Sequence, residues 1–179
     1  MNTTPTTTDR LDASREAIRA FARHYDYDAT YIEELMEMSP GAFHVFEAAM
    51  PLGQYQKAAP TELLTIAKIA AIRAEDCGPC TELGVKMSRE AGVPEAIIRG
   101  ALHGGKGLNA EQLDVYTYAR AVAVNEEMDP ELLPRLKARW GGEVIAELAI
   151  AITGTRLYPT MKRALGHAKS CSLFPSLAA

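Results

Sequence analysis

Apolar residues in this chain recur three and four positions apart, and proline and glycine cut that pattern into segments. Ile18, Phe21, Ala22 and Tyr25 share one face of a helix within about residues 9–25. A short helix follows near Ala29 to Glu37. Ser39-Pro40 reads as an N-cap followed by proline at the first helical position, opening a helix to about Met50. Pro51 to Ala59 is a connector, and Pro60 opens the apolar helix Thr61 to Ala74. Cys77-Gly78-Pro79-Cys80 starts the next helix, which stops at Gly92, and Pro94 starts another that ends at Gly104-Gly105. No run of alternating β-branched residues and no hairpin turn between strands interrupts this order. The expectation is an all-α fold: a Thr-rich disordered tail at residues 1–8, then a single compact multi-helix domain over 9–179.

The second half continues the pattern. Asn109 and Gln112 have capping-box spacing. The helix behind them carries Val115, Tyr118, Ala119 and Val122 at positions 0, 3, 4 and 7. Asp129-Pro130 caps a further helix that ends before Gly141-Gly142. The last long helix has Ile145, Leu148, Ala149 and Ile152 on one side, and Pro159 is expected to kink or divide it.

Charge and composition narrow the function classes. The net charge is −4 and no Lys/Arg stripe appears, which argues against nucleic acid as a partner. The Thr-rich start has no apolar core, so it does not read as a secretory signal. The strongest apolar run, Val144 to Ile152, is broken by Glu147 and is too short to span a bilayer. Three cysteines, an odd number, argue against a disulfide framework. They fit a cytoplasmic chain with one reactive pair, Cys77 and Cys80, and one further free thiol, Cys171.

A Cys-x-x-Cys pair in a reducing compartment points to redox chemistry or metal binding rather than to a structural staple. Zinc needs four ligands, and here only Cys77, Cys80, His103 and Cys171 are on offer, so the expectation is no metal and no cofactor. The same Cys-Gly-Pro-Cys spelling occurs in thioredoxins, where it follows a strand. Here it follows a helix, so the chemistry can be shared but the fold cannot.

The stretch Pro60 to Leu83 runs apolar helix, turn, cysteine pair, helix. It continues through Ser88-Arg89-Glu90-Ala91-Gly92-Val93-Pro94-Glu95. In this order the chain resembles the alkylhydroperoxidase D-like branch of the carboxymuconolactone decarboxylase superfamily, over roughly residues 30–125. The resemblance implies peroxide or disulfide reduction through the cysteine pair, an external dithiol reductant and a homo-oligomer. It also implies that Cys80 attacks and Cys77 resolves, whereas thioredoxin logic makes Cys77 the attacker. The family's motif is Glu-x(11)-Cys-x-x-Cys-x-x-x-His. In this chain Thr65 stands at the glutamate position and Gly84 at the histidine position, so both ends of the family's proton relay are absent.

The neighbouring residues supply candidates for that missing role. Glu62, one helical turn before Thr65, is the carboxylate best able to act as a base, although a first-turn acid also simply faces the helix dipole. His103, just before Gly104-Gly105, offers an imidazole that could fold back, or it merely ends its helix. Lys68 and Arg73 favour a thiolate; Glu75, Asp76 and Glu82 oppose one. Gly84 lies on the helix face of Cys80, leaving open space for substrate or allowing tight packing. Arg156 and Tyr158 are weaker candidates. The competing expectation is a non-enzymatic helical oligomer whose cysteine pair senses redox state or is vestigial.

Overall fold

The structure is a computed structural model and describes residues 7–173. Among these, eight α-helices and two short 3-10 turns account for the regular structure, with no strand. The all-α expectation is met. No described helix is long and apolar enough to cross a membrane. The chain divides into two compact units at Ala49/Met50.

The first unit holds α1 (Thr7–Tyr25), α2 (Thr30–Met38) and α3 (Pro40–Ala49). Residues 1–6 of the expected tail lie outside the described residues, and Thr7 and Thr8 are helical rather than part of it. The end of α1 is set by Asp26, whose positive φ of 47° turns the chain. The N–H groups of Asp26 and Tyr27 then donate to the carbonyls of Arg23 and Ala22, satisfying two carbonyls the helix leaves unpaired. Ser39 caps α3 as expected: its Oγ accepts from Ala42 N–H at 3.2 Å. Tyr31, Ile32, Leu35, Met36, Phe43 and Phe46 are buried along α2 and α3.

The second unit is built around α4 (Thr61–Ala74), whose central residues Ile66, Ala67, Ile69 and Ala71 are inaccessible to solvent. A helix buried nearly all round must be surrounded by others. Here α5 (Gly78–Glu90), α6 (Glu95–Leu102), α7 (Ala110–Val124) and α8 (Leu132–Ala164) all pack on it. Its small residues Ala67, Ala70 and Ala71 let those neighbours approach closely. Ile98, Val115, Leu132, Leu136, Leu148 and Ile152 fill the space between them. Removing one such side chain costs about 2–5 kcal/mol.

The expected caps are met in part in this unit. Asn109 and Gln112 form a reciprocal capping box on α7; Asp129, expected to cap the next helix, instead accepts from Glu131 N–H in the turn before it, and Glu131 is the N-cap of α8 without a side-chain cap bond. Two further details depart from the sequence reading. Val122 lies at the solvent edge of α7, 36% exposed, while Ala121 and Ala123 are buried. The helix also runs unbroken through Pro159; the interruption is at Gly141 (φ 83°, ψ 163°), where the backbone leaves the helical region. Proline removes one backbone donor, but its φ is compatible with a helix, whereas the conformation at Gly141 is not.

Glu147, which breaks the apolar run in the sequence, is 1% exposed. Its carboxylate accepts hydrogen bonds from the backbone N–H groups of Lys57, Ala58 and Ala59 at 2.8–3.0 Å. This buried charge therefore holds the connector between the 3-10 turn Met50–Gln54 and α4. The same turn lies against Gly154 of α8, where any Cβ would overlap Gly53 N and Leu52.

Candidate functional site

Cys77 occupies the N-cap of α5 in an extended conformation, Pro79 sits in the first helical turn and Cys80 at the third helical position. Proline suits that turn because an N–H there has no partner within the helix. The two cysteine Cα atoms are 5.3 Å apart and the sulfurs lie at disulfide distance. Both residues are buried, Cys77 at 1% and Cys80 at 3% exposure, against Ile72 of α4.

The turn between α4 and α5 is tightly held. Asp76 adopts a positive φ of 49°. Thr81 N–H and Thr81 Oγ1 both donate to the Cys77 carbonyl at 2.9 Å. Glu75 receives Arg156 and Arg163 from the end of α8, and Arg163 also donates to the Glu75 carbonyl. Burial pushes the Glu75 carboxyl up, but the hydrogen bonds from Arg156 and Arg163 outweigh it and leave the group below its ordinary range. Asp76 Oδ1 accepts from Cys171 N–H at 2.9 Å and Ser170 Oγ at 3.1 Å, and these bonds hold it low as well. Glu75 and Asp76, both expected to oppose a thiolate, are thus already engaged with other groups.

A helix N-terminus favours an anion through its unpaired N–H groups. Pro79 has no such group, and Gly78 N–H donates to the Lys169 carbonyl. That leaves the N–H of Cys80, at the position from which an N-cap side chain ordinarily receives its hydrogen bond. The Cys77 side chain makes no such bond here; its N-cap position is the one thioredoxin logic uses for the attacker, while the family resemblance assigns attack to Cys80.

The matched relay positions lie on α4 and α5. Thr65 is buried on α4, one turn before Ile69. A Cβ at Gly84 would point at Ile72 Cδ1 (3.3 Å) and Ile69 Cγ1 (4.0 Å). The space beside Gly84 is therefore not open: the glycine packs against α4, as the close-approach reading holds.

The other candidates are distributed elsewhere. Glu62 is in the first turn of α4, about 18 Å along the helix from Ala74 at 1.5 Å per residue. It lines a 190 Å³ cavity with Leu63, Ile97, Asn109 and Trp140. His103 terminates α6, its N–H donating to the Arg99 carbonyl. No hydrogen bond or ion pair joins either residue to the cysteine pair among the described residues. Lys68 is half-buried one turn before Ile72, and burial lowers its ammonium below its ordinary range. Arg156 reaches the turn through Glu75, whereas Tyr158 lies toward Gly53. A larger cleft of 420 Å³ between α7 and α8, lined by Glu111, Asp114, Arg135 and Trp140, includes neither cysteine.

Sequence reading missed the third cysteine's place. Cys171 opens a 3-10 turn, Cys171–Leu173, that packs on α5, and its Sγ lies 3.6 Å from Thr81 Oγ1. Spacing gives no signal of this, because about ninety residues separate the partners. Comparison of the chain with protein-family models, with curated proteins and with solved structures finds no match.

Proposed function

We propose that this chain is a cytoplasmic thiol–disulfide oxidoreductase of the alkylhydroperoxidase D-like type, reducing a small peroxide or disulfide through Cys77 and Cys80. The observation that carries the reading is a vicinal cysteine pair at disulfide distance, at the N-terminus of a helix in an all-α unit. Near-complete burial of both sulfurs favours a small oxidant over a bulky one. The Cys80 thiolate attacks the terminal peroxide oxygen; an S–O bond forms as the O–O bond breaks, the leaving oxygen takes a proton and departs as water or alcohol, and a sulfenic acid remains. The Cys77 thiolate then displaces hydroxide from that sulfur, forming the disulfide. An external dithiol reduces it by exchange. With Thr65 and Gly84 at the relay positions, turnover is slow. A homo-oligomer belongs to the same proposal; Met87, Leu113 and Val124 are apolar side chains left exposed on the second unit.

The test oxidises the protein mildly and maps the thiols by mass spectrometry, then measures peroxide consumption. A two-hydrogen loss within the one peptide that holds both cysteines, reversed by dithiol, supports the reading. Thiols that stay free sink it. Sulfenic-acid trapping in Cys77→Ser but not in Cys80→Ser assigns attack to Cys80. The reverse pattern supports the order that thioredoxin logic gives, and with it disulfide exchange rather than peroxide reduction. A pair that closes but turns over neither substrate leaves a non-enzymatic redox sensor.

A further inference from the structure

The turn that carries the cysteine pair is strapped down by the segment Lys169–Leu173. The Lys169 carbonyl takes the Gly78 N–H at 2.9 Å, a donor that α5 itself cannot satisfy. Asp76 Oδ1 takes the Cys171 N–H and the Ser170 hydroxyl. Thr81 Oγ1 gives its proton to the Cys77 carbonyl and lies 3.6 Å from Cys171 Sγ. One hydroxyl therefore touches both the backbone of the first cysteine and the sulfur of the third. Of the three thiol-bearing residues, Cys77 and Cys80 are buried, while Cys171 on the strap is half-buried.

This arrangement poses a problem of access. Exchange needs a thiolate to approach a disulfide sulfur directly, opposite the bond that breaks. Both cysteines of the pair are buried, whereas Cys171, on the segment bonded to their turn, is half-buried. We propose that Cys171 is the third thiol of the site, exchanging with the Cys77–Cys80 disulfide and passing on to it the electrons of an external dithiol.

The proposal rests on the reading of the pair as a redox centre, and its steps balance. The Cys171 thiolate attacks Cys77 Sγ; the Cys77–Cys80 bond breaks, a Cys77–Cys171 bond forms, and Cys80 leaves as thiolate. One thiol of the external dithiol then attacks Cys171 Sγ, and Cys77 leaves as thiolate. The second thiol of the reductant closes its own disulfide and releases Cys171. Two electrons and two protons pass from the dithiol to the pair, and Cys171 ends as it began.

The surroundings of Cys171 set when it acts. Burial pushes its thiol up, the Thr81 hydroxyl and the Arg73 charge pull it down, and Asp76 pushes it up again; the balance lies above the ordinary thiol value. The fraction of Cys171 present as the attacking thiolate is correspondingly smaller than for a free thiol.

The experiment uses the full chain with single Cys→Ser variants. Trypsin releases Cys77 and Cys80 together in the peptide 74–86 and Cys171 in the peptide 170–179. Oxidation of Cys80→Ser with diamide is expected to join these two peptides through Cys77 and Cys171, with little joining in Cys77→Ser. Reduction of the oxidised pair by dithiothreitol is expected to be about tenfold slower in Cys171→Ser than in the unaltered protein, and the same in both once urea has unfolded them. Absence of the 77–171 link, or a wild-type reduction rate in folded Cys171→Ser, overturns the proposal. Closure of the 77–80 disulfide in the unaltered chain is read in parallel. If that pair never closes, the redox reading itself fails; if it closes and only the Cys171 results are negative, the role of Cys171 alone fails.

Discussion

Placing glutamate at Thr65 and histidine at Gly84 tests whether the α4/α5 seam is a relay scaffold that has lost its relay. Each substitution alone is expected to harm the protein. Thr65 is only 6% exposed, so a glutamate there buries a carboxylate with no partner, and such a group costs several kcal/mol or takes up a proton. At Gly84 a new Cβ meets Ile72 Cδ1 at 3.3 Å, so the isoleucine side chain must give way. Overpacking of this kind costs about 1–3 kcal/mol, offset by roughly 0.5 kcal/mol from replacing glycine in a helix interior. The double variant is expected to be more stable than the sum of the singles, because the imidazole pairs with the carboxylate. A coupling of about 0.5–3 kcal/mol is the range for residues in contact. General acid–base assistance contributes about 10²–10⁴-fold, so peroxide turnover should rise at least about a hundredfold over the parent chain. Urea unfolding measures the coupling and a peroxide consumption assay the turnover. A double variant that folds, closes its 77–80 disulfide and gains no turnover would refute the alignment of Thr65 and Gly84 with the relay positions.

Three further outcomes are expected. Glu147→Gln should make the protein less stable at neutral pH, since the Lys57, Ala58 and Ala59 N–H groups lose a charged acceptor. The Lys57 N–H first of all holds that carboxyl below its ordinary range, so its contribution is complete above the usual glutamate pKa and fades as acid titrates the folded form. Acid titrations followed by circular dichroism should therefore show the gap between parent and variant closing toward low pH; a constant gap would contradict it. Gly154→Ala should cost about 1–3 kcal/mol despite alanine's better helix propensity, because the new Cβ overlaps the backbone of Gly53 and Leu52; a midpoint in urea at or above the parent's would show that the 3-10 turn yields freely. Light scattering at micromolar concentration should give a multiple of the chain mass of 19.4 kDa, and a monomer mass would remove the homo-oligomer from the proposed function.

The helices were legible because their signals are local. Pro60 and Pro94 precede the starts of α4 and α6, Asn109 and Gln112 bond reciprocally at the start of α7, and Gly141 interrupts α8 where the glycine pair stands. Proline's fixed φ, glycine's access to positive φ and the reach of a capping side chain all act within a few residues, so sequence alone determines them. The cysteine pair belongs to the same class: three positions at a helix start suffice to bring two sulfurs together.

Relations across the fold were decided only by tertiary structure. The sequence marks Glu147 as a flaw in an apolar run, but ninety residues away the backbone of Lys57 to Ala59 turns its N–H groups toward it. Glu62 looks close to the pair by its count from Thr65, yet the length of α4 carries it into another cavity. Gly84 reads either as room for a substrate or as close packing, and the packing of α5 on α4, which fills that side with Ile72, decides for the second. Cys171 reads as a leftover thiol until the chain beyond α8 returns to the turn at Asp76 and sets it against Thr81. Spacing along a chain fixes which groups share a helix face or a turn. Which faces meet depends on how the whole apolar surface of the unit is buried at once, and no short motif encodes that.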